Sequence, residues 1–151
     1  MKNIIFSVAL VLTVVLAGNS FGQILCVKNR TANLRSSPSL TGSIVILQVP
    51  RHYPLDIQGE NGDFLYVRDF QGRDGWVAKS VVVTEAGVIV NVRIVNVRSG
   101  PGKDHEVLFK ARRGVTFRVL QNQVNWLYVE HETGKKGWIY KDLVWGLKSK
   151  A

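Results

Sequence analysis

Asn96-Val97-Arg98-Ser99-Gly100-Pro101 decides how this chain is organised, because the same pattern stands 63 positions earlier as Asn33-Leu34-Arg35-Ser36-Ser37-Pro38. Outward from these copies, Phe64-Leu65-Tyr66-Val67 is matched by Trp126-Leu127-Tyr128-Val129, and Gly75-Trp76-Val77 by Gly137-Trp138-Ile139, both at a spacing of 62. The one-residue slip falls between the first and second motifs, where a loop absorbs it. Three motifs in one order at nearly one spacing mark a duplication.

Each repeat reads as short strands rich in β-branched and aromatic residues. In the first these are 44–49, 53–57, 64–67 and 75–78, separated by the turn formers Gly59-Glu60-Asn61-Gly62-Asp63 and Gln71-Gly72-Arg73-Asp74-Gly75. In the second they are 115–120, 126–130 and 137–139, with Glu132-Thr133-Gly134-Lys135-Lys136-Gly137 as the hairpin turn. No stretch after residue 22 carries a sustained 3.6-residue apolar period, so helices are not expected. Short strands that close within about 60 residues predict an all-β fold of small barrels. Thr84-Glu85-Ala86-Gly87 is the junction, and it is too short for a floppy linker, so the two units are expected to touch.

The amino terminus is a different kind of segment. Lys2 precedes an apolar run from Ile4 to Ala17, broken only by Ser7 and Thr13. That is the length of a signal-peptide core and short of the roughly 20 residues that span a bilayer. Ser20-Phe21-Gly22 places small residues three and one positions before Gln23, which predicts a signal peptide over 1–22 and an exported protein. An uncleaved membrane anchor is the alternative. Leu16-Ala17-Gly18 begins like a lipoprotein box, but Asn19 has no thiol to acylate. Domains are therefore expected over 23–86 and 87–151, each near the lower limit for independent stability. The single cysteine, Cys26, excludes an intramolecular disulfide. It stands in the apolar strand Ile24-Leu25-Cys26-Val27 as a buried thiol, or else forms a disulfide with another chain.

At the repeated motifs the chain resembles the bacterial SH3 (SH3b, SH3 type 3) family. The second repeat matches the family pattern closely, at 96–101, Arg113-Gly114-Val115, Asn125-Trp126-Leu127-Tyr128-Val129 and Gly137-Trp138-Ile139. The first departs from it with Ser37 for a Gly, Pro54 in the middle turn and Phe64 for a Trp. The resemblance implies two tandem SH3-like barrels that act as a targeting or binding module. Its implied ligand is cell-wall peptidoglycan, as glycan or peptide, and its implied place the periplasm or the cell exterior.

Catalysis is not expected. A nucleophile needs a positioned base and an orienting group, whereas His52, His105 and His131 are scattered and Cys26 lies in no nucleophile motif. Zinc-like Cys or His spacing is absent, as is a phosphate-cradling Gly loop, so neither metal nor cofactor is expected. What remains is aromatic and basic surface. Leu65, Leu127 and the neighbouring valines alternate with Phe64/Tyr66 and Trp126/Tyr128, so aliphatics face the core and aromatics line a partly exposed face. Rings with a polar edge suit peptides and sugars.

The charge is uneven. Residues 23–86 hold seven Lys/Arg against six Asp/Glu, and 87–151 hold twelve against five, within a whole-chain net charge of +9. Arg112-Arg113 and Lys135-Lys136 concentrate it, which favours polyanionic envelope partners, while export disfavours nucleic acid. The candidate ligand-binding residues are Trp126, Tyr128, Trp138, Arg98, Arg112, Arg113, Lys135 and Lys136, with Tyr66 and Trp76 as first-repeat counterparts. Arg35 and Arg98 have a simpler role open to them: stacking on Trp or bonding turn carbonyls. The rival reading is an adaptor for another envelope protein, or a membrane-anchored regulatory subunit if the leader is kept.

Overall fold

Alternation governs the strands. In the hairpin strand Phe64–Arg68, Leu65 and Val67 are buried while Phe64 and Tyr66 are half-buried; Trp126–Glu130 repeats the pattern with Leu127 and Val129 inside. The computed structural model describes residues 23–147, and the expected signal peptide lies outside them.

Seven strands form each repeat. The first contains β1 (Ile24–Val27), β2 (Thr31–Arg35), β3 (Val45–Pro50), β4 (Pro54–Asn61), β5 (Phe64–Arg68), β6 (Asp74–Ala78) and β7 (Val82–Val83). The second contains β8 (Gly87–Val90), β9 (Ile94–Arg98), β10 (Val107–Arg112), β11 (Thr116–Asn122), β12 (Trp126–Glu130), β13 (Lys136–Tyr140) and β14 (Val144–Trp145). Two 3-10 turns, Lys79–Val81 and Lys141–Leu143, are the helical elements among the described residues. The sheets run β3-β2-β6-β5-β4-β1-β7 and β10-β9-β13-β12-β11-β8-β14, the same order twice.

The all-β duplication is therefore as expected, but closed barrels are not what forms. Each ladder is open, with β3 and β7, or β10 and β14, as its two ends. The two-residue strands β7 and β14 pair with β1 and β8, and neither is hydrogen-bonded to the opposite end strand, β3 or β10.

Each sheet folds over its own core. Leu34, Leu55, Leu65, Val67 and Val77 fill the first, and Val88, Val97, Phe117, Leu127, Val129 and Ile139 the second. The repeats also share contacts. Ile89, from β8, is buried in the first core, and Trp145 packs against that core from β14. Thr116 donates its hydroxyl to the Arg51 carbonyl, and the Arg113 guanidinium lies 5.8 Å from the centre of the Phe70 ring. A Cβ on Gly87 would come 2.3 Å from the His52 carbonyl oxygen, so β8 runs against the first repeat at a distance only glycine permits. The expected contact across the junction is present.

A buried polar network holds the β5–β6 turn. Asp69 is buried and accepts from the Arg73 guanidinium at 2.7 Å, the Tyr53 hydroxyl at 3.0 Å and the backbone N–H of Gln71 and of Arg73 at 2.9 Å each. In the second repeat His131 takes this turn position. It accepts from the Thr133 N–H and sets its ring against Phe117 at 5.7 Å.

Candidate functional site

The outward faces of the β5–β6 and β12–β13 hairpins carry the aromatic residues. Register sets Tyr66 opposite Trp76 and Tyr128 opposite Trp138. Their ring centres are 5.1 and 5.2 Å apart, at interplanar angles of 44° and 30°. All four residues are half-buried, which leaves ring surface in contact with solvent. Such cross-strand pairs stabilise a hairpin while keeping an amphipathic face available.

One row further along, the repeats differ. The second places Trp126 opposite Tyr140, ring centres 5.5 Å apart and edge to face. The first has Phe64 opposite Ala78. Only the second repeat thus forms a second aromatic pair; the first has the single ring of Phe64 in that row. Beside that row lies a cleft of about 320 Å³ lined by Ile94, Asn96, Arg98, Lys103, Trp126, Tyr140 and Leu143. Its lining holds two cationic residues and no carboxylate, so an anionic or neutral polar ligand suits it better than a cation.

Arg98 and Arg35 sit opposite Trp138 and Trp76 in the ladder. Arg98 donates from Nη1 to the Lys103 and His105 carbonyls, both at 3.0 Å. Arg35 donates to Ser43 Oγ at 3.3 Å, and Ser43 in turn donates to the Ser39 carbonyl. Arg98 thus bonds carbonyls of the loop after its strand, the simpler of the two roles read from the sequence, whereas Arg35 reaches its loop through a serine hydroxyl. Arg98 positions one wall of the cleft.

The basic residues have different neighbours. Arg112 ends β10 and is exposed, opposite Ile94. Arg113 stands on the next turn against Phe70 of the first repeat. Lys135 lies over the Phe109 ring at 5.6 Å. Lys136 pairs with Glu130 at 3.3 Å, directly across the hairpin, and Glu130 also accepts from Arg118. The equivalent position in the first repeat carries the reverse polarity, Arg68 with Asp74 at 2.7 Å.

Tyr140, Ile94, Asn96, Lys103 and Leu143 join the cleft without having been singled out as site residues. Counting outward from the hairpin turn would have found Tyr140: Glu130 faces Lys136, Tyr128 faces Trp138, and Trp126 therefore faces Tyr140. Ile94, Asn96 and Arg98 follow from period-two alternation with buried Val95 and Val97. Lys103 and Leu143 come from a loop and a 3-10 turn, where no period signals them.

Cys26 is 1% exposed. Burial, aided by the nearby Glu85 carboxylate, pushes its thiol up to about 11. Among the described residues, no group of three or more His, Cys, Asp or Glu is placed to hold a metal ion. No helix among them is long and apolar enough to cross a membrane.

Duplicated seven-stranded sheets, each with a half-exposed Tyr–Trp pair on the same hairpin, define a tandem of small all-β domains. The chain belongs to the bacterial SH3 domain family, which matches it in two adjacent copies, over residues 30–83 and 85–146. Over 65 residues, 43% of this chain, it is 26% identical to Bacillus subtilis (strain 168) YrvJ, a protein named for N-acetylmuramoyl-L-alanine amidase activity. The chain spans 12% of that relative's length. Among solved structures it is similar to NlpC1 from Trichomonas vaginalis, with 17% identity, 82% of this chain and 45% of that one covered, and a TM-score of 0.36. It is also similar to an NlpC/P60 family protein from Bacillus cereus ATCC 10987, with 13% identity, 83% and 57% covered, and a TM-score of 0.39.

Proposed function

We propose that this protein is an exported, non-catalytic binding module that docks to cell-wall peptidoglycan, or another anionic envelope polymer, through the outer face of its second repeat. The observation that carries this reading is the double aromatic row Tyr128–Trp138 and Trp126–Tyr140 beside a cleft edged by Arg98 and Lys103. Solvent-facing ring surface gives sugar and peptide faces an apolar contact, and the surrounding positive charge draws a polyanion toward it. Membership of the bacterial SH3 family and likeness to part of an amidase-named protein support a place in the cell wall. In this reading the segment 1–22 is removed on export, 23–86 and 87–151 are the two domains, and the mature chain works in the periplasm or outside the cell.

Sedimentation of the purified protein with isolated sacculi tests this. Retention that survives moderate salt is expected, and its loss when Trp126 is changed to Ala ties the binding to the cleft. A second reading, an adaptor for an envelope protein, is favoured by one observation: Ile44, Val45 and Ile46 are exposed side by side in the first repeat. It predicts no retention on sacculi.

A further inference from the structure

The duplication supplies an internal control for the surface of each repeat. Strands β3 and β10 are the corresponding edge strands of the two sheets. Ser36 N–H bonds to the Ile44 carbonyl and Ser99 N–H to the Glu106 carbonyl, which fixes Ile44 as the counterpart of Glu106. Lys110 and Arg112 then correspond to Gln48 and Pro50. The preceding loop carries Lys103 and Asp104 in the second repeat but Leu40 and Thr41 in the first.

The second repeat therefore guards its edge with charge, the usual protection of an open strand. The first bears no charged residue from Ser36 to Pro50. Leu40 is 69% exposed there, Ile44 73%, Val45 45% and Ile46 51%. The second repeat keeps apolar residues opposite two of these, Val107 for Val45 and Leu108 for Ile46, 37% and 49% exposed. The repeats differ at Leu40 and Ile44, where the second carries Lys103 and Glu106, and at Gln48 and Pro50, where it carries Lys110 and Arg112. The fold therefore does not require an uncharged edge.

We infer that β3 is the pairing edge of a homodimer, in which two copies of this chain join β3 to β3 antiparallel about a two-fold axis. Two features select a second copy over an unrelated strand. In a two-fold interface each residue meets a patch identical to its own, so a charge near the axis meets its like. An edge that pairs with itself must be neutral near that axis, a condition that a foreign partner of complementary charge would not impose. Moreover, residues 23–86 are nearly charge-balanced while 87–151 carry most of the positive excess. The first repeat is thus the side on which two copies approach with least repulsion, and pairing there leaves both second repeats free. The backbone groups of an open edge then find partners, and the four apolar side chains leave water. The inference is independent of what the second repeat binds.

Sedimentation equilibrium of the purified protein is expected to show a monomer–dimer equilibrium between about 1 µM and about 1 mM, the range for an interface at the small end of the size scale. High salt should leave the dimer intact, because no ion pair holds it. The combined variant Leu40→Lys, Ile44→Lys, Gln48→Lys places like charges on both copies at sites where the second repeat already tolerates charge. It should stay monomeric across that range, with a thermal melt equal to the parent's at concentrations where the parent is also monomeric. Val124→Lys, at an 86% exposed position far along the chain, should dimerise like the parent. A parent protein that is monomeric throughout overturns the inference, even if β3 captures a strand of some other protein. A dimer that survives the triple substitution overturns it equally.

Discussion

Thr116 donates its side-chain hydroxyl to the backbone carbonyl of Arg51 at 2.7 Å, joining the two repeats across 65 positions of sequence. Thr116 is 7% exposed, so the bond is largely shielded from water. Thr116→Val keeps the shape and leaves the carbonyl without this partner, which costs about 1–2 kcal/mol. Gly87→Ala should cost more, because the added Cβ meets the His52 carbonyl oxygen at 2.3 Å and Cys26 Cβ at 2.7 Å. Backbone must move to admit it, and overpacking of that kind costs about 1–3 kcal/mol or more. Urea unfolding checks both: the midpoint should fall for each variant, further for Gly87→Ala.

Acid should destabilise the first repeat through Asp69. Burial pushes its carboxyl up. The Arg73 guanidinium, the N–H groups of Arg73 and Gln71 and the Tyr53 hydroxyl outweigh this and hold it below the ordinary carboxylate value. A carboxyl lower in the folded than in the unfolded state adds stability that is fully present above the unfolded value and lost as pH falls through the folded one. Asp69→Asn should therefore unfold at lower urea than the parent near pH 7, by about 1–3 kcal/mol, since the aspartate is buried but Arg73 is part-exposed. The gap should narrow as the pH is lowered below the ordinary carboxylate range. Parallel pH–stability curves for the two proteins would count against the network.

Much of this architecture is legible in the residues. The alternation of Leu65 and Val67 with Phe64 and Tyr66 shows which face is buried, and the strand read at 126–130 has those limits in the structure. Charge was less legible. Arg112 and Arg113 look like one patch in sequence, yet one ends a strand while the next stands on a turn against the other repeat. The stretch Gly87–Val90 shows the same limit. It begins at the expected junction, but its four residues are all buried because it is covered by both repeats. No local period encodes a neighbour contributed by another sheet. Barrel closure failed as an expectation for a similar reason, since it needs a pairing between strands at opposite ends of the order, β3 with β7 or β10 with β14, which no local pattern encodes.

Cys26 should be inert while the protein is folded. It is shut in at 1% exposure, and its thiol is raised to about 11, so little thiolate exists near neutral pH. Ellman's reagent at pH 8 should report almost no free thiol under native conditions and one per chain in guanidinium chloride. Fast native labelling would contradict the burial and revive an intermolecular disulfide. The β3-paired dimer, accordingly, should be unaffected by reductant.

Binding should separate into a short-range part in the cleft and a screened, long-range part around it. Trp126 forms one wall and holds Tyr140 edge to face, so Trp126→Ala removes stacking surface and loosens its neighbour. Retention on sacculi should fall about tenfold at every salt concentration, the size of one lost aromatic contact. Arg112 and Lys135 are the residues to reverse for the charge term, because Lys136 is engaged by Glu130 and Arg113 faces Phe70. Arg112→Glu with Lys135→Glu should weaken binding at low salt and flatten its salt dependence, since screening already removes that attraction at high salt. Thermal melts must accompany both variants, because Trp126 is half-buried and Lys135 covers Phe109. Trp76→Ala in the first repeat supplies the comparison: its row pairs with Tyr66 but has only Phe64 and Ala78 beside it. Unchanged binding in Trp76→Ala with loss in Trp126→Ala assigns the site to the second repeat. The reverse result would place it on the first, where Phe64 faces Ala78 in place of a second aromatic pair.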